Sequence, residues 1–296
     1  MALPYVFILD WDGTIAGRVD YQSQQFVLHS VLKQSGFKPV KQHKIPPAFF
    51  PNAKLIRPGL ASMMKALQKM YDNKAYFFIY TGSEKSWAQQ EVAWVEQTHN
   101  IKFMRPLFTR DDCIIDSGGN VRKSLKKIWP RIMRVVAQNH QMTARDRTVI
   151  LQNNVMIIDN NAVYLDHTEK LLLCPDYNYI FFENLLAGIP AEARKHPNVD
   201  RLILSFINQG LLCPHLETRE RRHKHDDADG MKQLAKQYSW LASKCKGIAD
   251  GNDKYVHDRF WSTLRKLIHE NNIRTYSPSV IVNLQNTVWR TLKGSS

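Results

Sequence analysis

Two aspartates, Asp10 and Asp12, stand two positions apart in YVFILDWDGTIAG (residues 5–17), directly after an apolar run and just before Gly13 and Thr14. Carboxylates held this close repel each other unless a cation lies between them. A magnesium ion, which takes one or two carboxylates and completes its octahedron with water and substrate phosphate, would relieve that repulsion. An ionised aspartate beside such an ion can attack phosphorus and split one hard hydrolysis into two easier displacements, which makes Asp10 the candidate nucleophile. Asp12 would protonate the leaving oxygen and later take a proton from water. The plainer reading is an Asp-Gly turn at the end of a strand.

Positioning such acids is the work of the flanking elements. YVFIL (5–9), AYFFIY (75–80) and VMII (155–158) are short continuous apolar runs of the kind buried parallel strands use, with KLLLC (170–174) a weaker fourth. Between them, LASMMKALQKMY (60–71) and SWAQQEVAWVEQTH (86–99) carry helical periodicity. Strands alternating with helices predict an α/β fold, a parallel sheet sandwiched by helices. Each of the first three runs ends at a polar cluster, at Asp10–Thr14, Thr81–Ser83 and Asp159–Asn161. Parallel sheets bind ligands outside the carboxyl ends of their strands, so the three endings can build one site.

The chain of 296 residues, 44% hydrophobic, can bury a full core. Its 41 Lys and Arg against 27 Asp and Glu leave +14, a field that draws phosphate-bearing partners, whether phosphoprotein or nucleic acid. The 4 cysteines, Cys113, Cys174, Cys213 and Cys245, lack zinc-site spacing and read as reduced thiols. MALPYVFILD has no basic leader, and no stretch reaches the length of a membrane helix, so an intracellular protein without a membrane partner is expected. From residue 217 the composition changes. The expected division is a domain over residues 1–216, a charged linker over 217–230 containing RERRHKHDD, and a small helical module over 231–296. In that module Phe260, Leu264, Leu267 and Ile268 form one apolar stripe, and Ser277 with Pro278 should open a last helix. Its Trp240, Phe260, Trp261 and Trp289 read as core, with a partner-contacting role the alternative.

DWDGT after a hydrophobic strand resembles the first motif of the haloacid dehalogenase (HAD) superfamily of phosphatases, and further stations follow in order. FFIYTGS is similar to the second motif, whose hydroxyl, here Thr81 beside Gly82, holds a phosphoryl oxygen. Lys123 in GGNVRKSLKKI resembles the third-motif lysine, and VMIIDNN the fourth, whose acid, here Asp159, binds magnesium. Nearer still is the branch of RNA polymerase C-terminal-domain phosphatases and NLI-interacting-factor-like proteins. Its RPG is matched by Arg57, Pro58 and Gly59, its F-T-A-S by Tyr80 to Ser83, and its D-N-S-P-x-x-Y by Asp159 to Tyr164; YNYIFFENLLAGIP (177–190) sits where the branch has its final helix. The resemblance covers about residues 5–190. It implies Asp10, Asp12 and Asp159 at a magnesium ion, Thr81, Gly82 and Lys123 on the phosphate, and Thr14 and Asn160 supporting them from behind. Read alone, Thr81 could equally be a helix cap, Lys123 part of a solvated basic face with Arg122, Lys126 and Lys127, and Asp159 a turn residue.

One departure from that branch stands out. The interval from Lys123 to Asp159 is long, and PRIMRVVAQNHQ (130–141) within it predicts a helix starting at Pro130, with Arg131, Arg134, Arg145 and Arg147 either lining a substrate entrance or solvated. NIKFMRPLFTRDDCIIDSGGN (100–120) reads as a small β excursion near the site, and no bulky cap domain is evident in residues 18–55. The implied activity is a magnesium-dependent phosphatase acting on phosphoserine or phosphothreonine in a protein, such as a polymerase tail, in cytoplasm or nucleus. The rivals are a polynucleotide 3′-phosphatase and a non-catalytic phosphopeptide-binding module. The divergent tail on a recognisable core suits a viral copy, acting in a host cell.

Overall fold

Tyr5–Leu9 (β1) is apolar along its whole length and buried from Val6 onward, the pattern of a strand covered on both faces. A computed structural model describes residues 3–17, 31–37, 53–179, 190, 192–193, 196–199, 201 and 253–294. Ala75–Ile79 (β2), Val155–Asp159 (β5) and Leu171–Leu173 (β6) join β1 in a parallel sheet of order β2-β1-β5-β6. Ile114–Ile115 (β3) and Val121–Arg122 (β4) pair antiparallel, the expected excursion in miniature. Leu9 lies opposite Ile79 on one side and Ile158 on the other. Because of that register Asp10, Tyr80 with Thr81, and Asp159 all leave the sheet at one edge.

Helices cover both faces. Leu125–Ala137 (α3) buries Leu125, Ile128, Ile132, Met133 and Val136 against Val6, Ile8, Phe78, Val155 and Ile157. Its start differs from the expectation at Pro130, which lies inside it. The apolar stripe begins at Leu125, and Ser124 caps the helix by accepting from the Lys127 N–H, while Asp166 accepts from the Lys126 N–H at 3.1 Å. With two of the free N–H groups satisfied there, the helix starts shortly after Lys123. Ala144–Asn153 (α4), opened by a Thr143–Asp146 capping box, had no counterpart in the sequence reading.

On the other face, Leu60–Met70 (α1) buries Leu60, Met63, Met64 and Leu67, and the Phe7 and Phe77 rings stack at 5.1 Å. Lys85–His99 (α2) follows β2. Phe260–Glu270 (α5) packs against α1, and Pro278–Lys293 (α6) packs against α5 and β6. Gly59, at φ +91°, opens α1 where an added Cβ would stand 3.3 Å from the Trp261 Cβ, so the two helices meet without a side chain between them. The Leu173 N–H donates to Gln285 Oε1 at 2.9 Å, and Trp289 Nε1–H donates to the Leu173 carbonyl at 3.0 Å, which occupies the backbone of β6 from the side of α6.

These last helices are therefore part of the sheet's own unit, residues 1–17, 56–178 and 255–296, and not a module of their own as the sequence suggested. The physical reason is that α1 and β6 leave apolar surface that nothing between residues 60 and 178 covers. Phe260, Trp261, Leu264 and Ile268 fill it, in line with the core reading of those aromatics. Residues 18–55 and 179–254 group as a second unit, where the Phe37 and His196 rings meet edge to face at 5.6 Å. The linker at 217–230, Trp240, Cys213, Cys245 and most of residues 18–55 and 180–189 lie outside the described residues. Cys113 and Cys174 are buried free thiols, and no helix among the described residues is long and apolar enough to cross a membrane.

Leu264 is fully buried between α5 and α1. Leu264→Ala should lower unfolding free energy by about 2–5 kcal/mol, with amide exchange in β1 and β5 accelerated by the matching factor. Strand protection that stays at the wild-type level would show the last helices to be independent of the sheet.

Candidate active site

At the shared sheet edge the Lys123 ammonium stands between two carboxylates, 2.5 Å from Asp10 Oδ1 and 2.7 Å from Asp159 Oδ2. All three side chains are buried, so the solvated-face reading of Lys123 does not hold. The backbone explains why. Lys123 N–H donates to the Val163 carbonyl at 3.0 Å, and the Lys123 carbonyl accepts from Leu165 N–H at 2.9 Å, so the segment after β5 grips the lysine on both sides and turns it inward. The Tyr80 and Tyr164 ring centres lie 5.7 and 5.9 Å from its nitrogen and wall it from water.

Burial opposes the lysine's charge, but Asp10, ahead of Asp159, outweighs it and holds the ammonium above its ordinary value. Asp159 is pushed up to about 6, by burial first and the Asp10 charge second, against the pull of Lys123 and of the Asn161 N–H. Asn161 N–H donates to Asp159 Oδ1 at 2.7 Å.

Asp12 faces a different set of partners. Ser83 Oγ–H donates to its Oδ2 at 2.6 Å and Thr81 Oγ1–H at 3.3 Å, while Thr81 Oγ1 accepts from Ser83 N–H at 3.1 Å. Thr81 thus belongs to a turn after β2; Glu84, not Thr81, is the N-cap of α2. Surrounding protein and the Asp10 charge push the Asp12 carboxyl up, against the two hydroxyls; its outer side remains exposed to solvent, which tempers the effect. Behind Asp10, the Thr14 hydroxyl lies 3.2 Å from Asp10 Oδ2 and 3.1 Å from Asn160 Oδ1, and accepts from Asn160 N–H at 3.0 Å. Its single proton serves one of the two oxygens at a time. Gly13, at φ +77°, is required: an added Cβ would stand 2.6 Å from Asn160 Nδ2. Gly82 is not similarly constrained, since a Cβ there would meet only Val121 Cγ1 at 3.5 Å.

The structure therefore brings Asp10, Lys123 and Asp159 into one cluster, with Thr14 and Asn160 behind it. Asp12 and Thr81 are bonded to each other beside it. The expected set of three carboxylates on one metal is not gathered: among the described residues no group of three or more His, Cys, Asp or Glu is placed to hold a metal ion, because the Asp12 carboxylate turns to Ser83 and Thr81. Two carboxylates suffice for magnesium, which takes the rest of its ligands from water and phosphate. Asp10 and Asp159 fit that role. With three carboxylates against one ammonium, and two of the acids pushed up, the site is short of positive charge.

Sequence reasoning named Ser83 only as the end of the Thr81–Ser83 cluster and of a motif match and assigned no role to it, nor to Tyr80 and Tyr164, which it matched to motifs alone. Two of the basic residues offered as an entrance have surroundings of their own. Arg131 pairs with Asp112 and lies over the Phe108 ring at 4.8 Å. Arg147, with Trp129, His167 and Lys170, lines a cavity of about 530 Å3 at the opposite edge of the sheet, where β5 and β6 begin, far from the acids.

Solved structures similar to the chain include the following three. A HAD-superfamily hydrolase from Ehrlichia chaffeensis is 14% identical over 55% of this chain and 82% of its own, with a TM-score of 0.27. The fission yeast RNA polymerase II CTD phosphatase Fcp1, bound to beryllium fluoride, is 15% identical over 94% of this chain and 70% of its own, at 0.34. A second Fcp1 structure, described as an essential RNA polymerase II CTD phosphatase, is 17% identical over 94% and 69%, also at 0.34. No curated protein sequence matches the chain. The family model described as NLI interacting factor-like phosphatase matches residues 5–187. That match takes in more than half of the chain, with Asp10, Asp12, Thr81, Lys123 and Asp159 all inside it, and the chain belongs to the NLI interacting factor-like phosphatases.

Proposed function

We propose that the chain is a magnesium-dependent phosphatase that removes phosphate from phosphoserine or phosphothreonine in a protein segment, of the kind an RNA polymerase C-terminal tail presents. The observation that carries this reading is the buried Asp10–Lys123–Asp159 cluster with the hydrogen-bonded Asp12 beside it. Asp10 would attack phosphorus through a carboxylate oxygen, forming an O–P bond as the bond to the serine or threonine oxygen breaks. Asp12, whose raised carboxyl favours holding a proton, would give that proton to the leaving oxygen. It would then take one from the water that attacks the aspartyl-phosphate and frees Asp10. Lys123 and the Thr81 hydroxyl would hold the phosphoryl oxygens. A magnesium ion held by Asp10 and Asp159 would neutralise charge on the transferring group. Every position with a chemical role holds a competent residue, which speaks against a non-catalytic module. The +14 balance suits a phosphorylated partner and keeps a polynucleotide 3′-phosphatase as the rival reading.

Asp10→Asn should leave the fold intact and cut hydrolysis of an aryl phosphate by at least about 10³-fold; an active variant would remove Asp10 from the nucleophile's role. Offered both a phosphopeptide panel and a 3′-phosphorylated oligonucleotide, the protein should turn over the peptides. Preference for the oligonucleotide would replace the substrate class.

The raised Asp159 carboxyl gives a further test. A group lifted above its unfolded value favours the folded state while protonated, and that contribution is lost as pH rises through about 6. A cation offsets the loss only where the carboxylate is ionised. Magnesium at about 100 times its Kd should add about 2.7 kcal/mol to stability near pH 7.5, measured as a Tm shift, and clearly less at pH 5. An equal shift at both pH values, or the same shift in Asp10→Asn, would place the ion elsewhere.

A further inference from the structure

Arg57 is the only arginine among the described residues that is fully buried, and its counter-charge comes from far along the chain. Its Nε–H and Nη2–H donate to Asp258 Oδ1 and Oδ2 at 2.8 and 2.9 Å, a planar fork closed on a carboxylate 201 residues away. The guanidinium lies over the Phe260 ring at 4.6 Å and near the Tyr177 ring at 5.5 Å. Asp258 is itself fixed, because its Oδ1 also accepts from the Phe260 N–H at the start of α5.

What Arg57 touches with its backbone gives the pair a role. Its N–H donates to the Ile15 carbonyl at 2.8 Å, next to the antiparallel bridge between Ala16 and Ile56. Tyr177, under the guanidinium, donates its N–H to the Gly13 carbonyl, also at 2.8 Å. The loop that carries Asp10 and Asp12 is thus gripped at Gly13 and Ile15 by the two residues that the Arg57–Asp258 pair organises. Between those grips sits Thr14, whose hydroxyl reaches Asp10 Oδ2. Asp258 lies outside the family match, which ends at residue 187.

We propose that Asp258 is a positioning residue for the Asp10 phosphatase site: supplied by the segment beyond the family domain, it holds the Asp10–Asp12 loop through Arg57. The inference rests on the reading of Asp10 as nucleophile. A buried ion pair can also be purely structural, and breaking one is destabilising in either case. The distinction lies in kcat, because small displacements of a reacting group cost about 10²-fold, whereas a purely structural pair leaves the folded enzyme's turnover unchanged.

The test uses the full chain with an aryl phosphate, well below the Tm of each variant. Asp258→Asn should lower kcat about 10- to 100-fold with KM within about twofold, and Asp258→Glu should recover much of it. Should Asp258→Asn not fold, the double variant Arg57→Met, Asp258→Leu removes both charges and is expected to fold; it should show the same kcat loss. Wild-type kcat in a folded Asp258→Asn or in the double variant overturns the proposal, whatever happens to Tm. Asp10→Asn, run alongside, reports on the nucleophile separately. Should the wild type hydrolyse nothing, amide exchange over residues 10–17 decides: faster in Asp258→Asn supports the grip, and unchanged overturns it.

Discussion

The buried ammonium of Lys123, shared by Asp10 and Asp159, organises everything around it. Ions of this kind lose several kcal/mol each in hydration, and only close, well-directed partners offset that loss. The partners here come from β1, from the end of β5 and from the short stretch between β4 and α3, so the cluster exists only when three distant pieces of chain are in register. Leu9 opposite both Ile79 and Ile158 supplies that register, and the grip of Val163 and Leu165 on the lysine backbone supplies the third piece. The remaining excess of negative charge is what the proposed divalent ion would offset.

How far this arrangement can be read from letters depends on the distance between interacting residues. β1, β2 and β5 were legible because a strand buried on both faces must be apolar throughout, and Asp10, Thr81 and Asp159 because they stand at or just past the ends of those strands. Lys123 is placed by its resemblance to a motif; its neighbours Arg122, Lys126 and Lys127 look alike in sequence, and only the turn made by its backbone separates it from them. Pro130 misleads because proline is favoured in a first helical turn, while the cap that starts α3 is a serine assisted by Asp166, 42 residues on. The tail reads as a separate module because a charged stretch precedes it, and linear composition does not reveal that α1 and β6 need a cover. Arg57 stood out only as the first residue of an RPG match, and its pairing with Asp258 had no local signal.

The boundary of the family match and the boundary of the folded unit therefore differ. The match stops at residue 187, yet β6 has its Leu173 N–H and carbonyl taken up by Gln285 and Trp289, and the outer face of α1 is closed by α5. Phe260, Trp261 and Tyr276 of the tail serve as core, with Tyr276 bonded to Tyr71 at 2.6 Å and set edge-on to Phe7 at 5.5 Å. Those contacts connect the last helices to the strand that bears the candidate nucleophile.

Closure of α1 by α5 also sets an order of events in time. The apolar stripe of α1 leaves the ribosome roughly 190 residues before Phe260 does, an interval of about 10–40 s at ordinary rates of chain growth. Throughout that interval α1 has no α5 to pack against. A nascent chain of this design carries α1 without that cover until α5 emerges, and apolar surface left open for so long is the kind that promotes aggregation during synthesis.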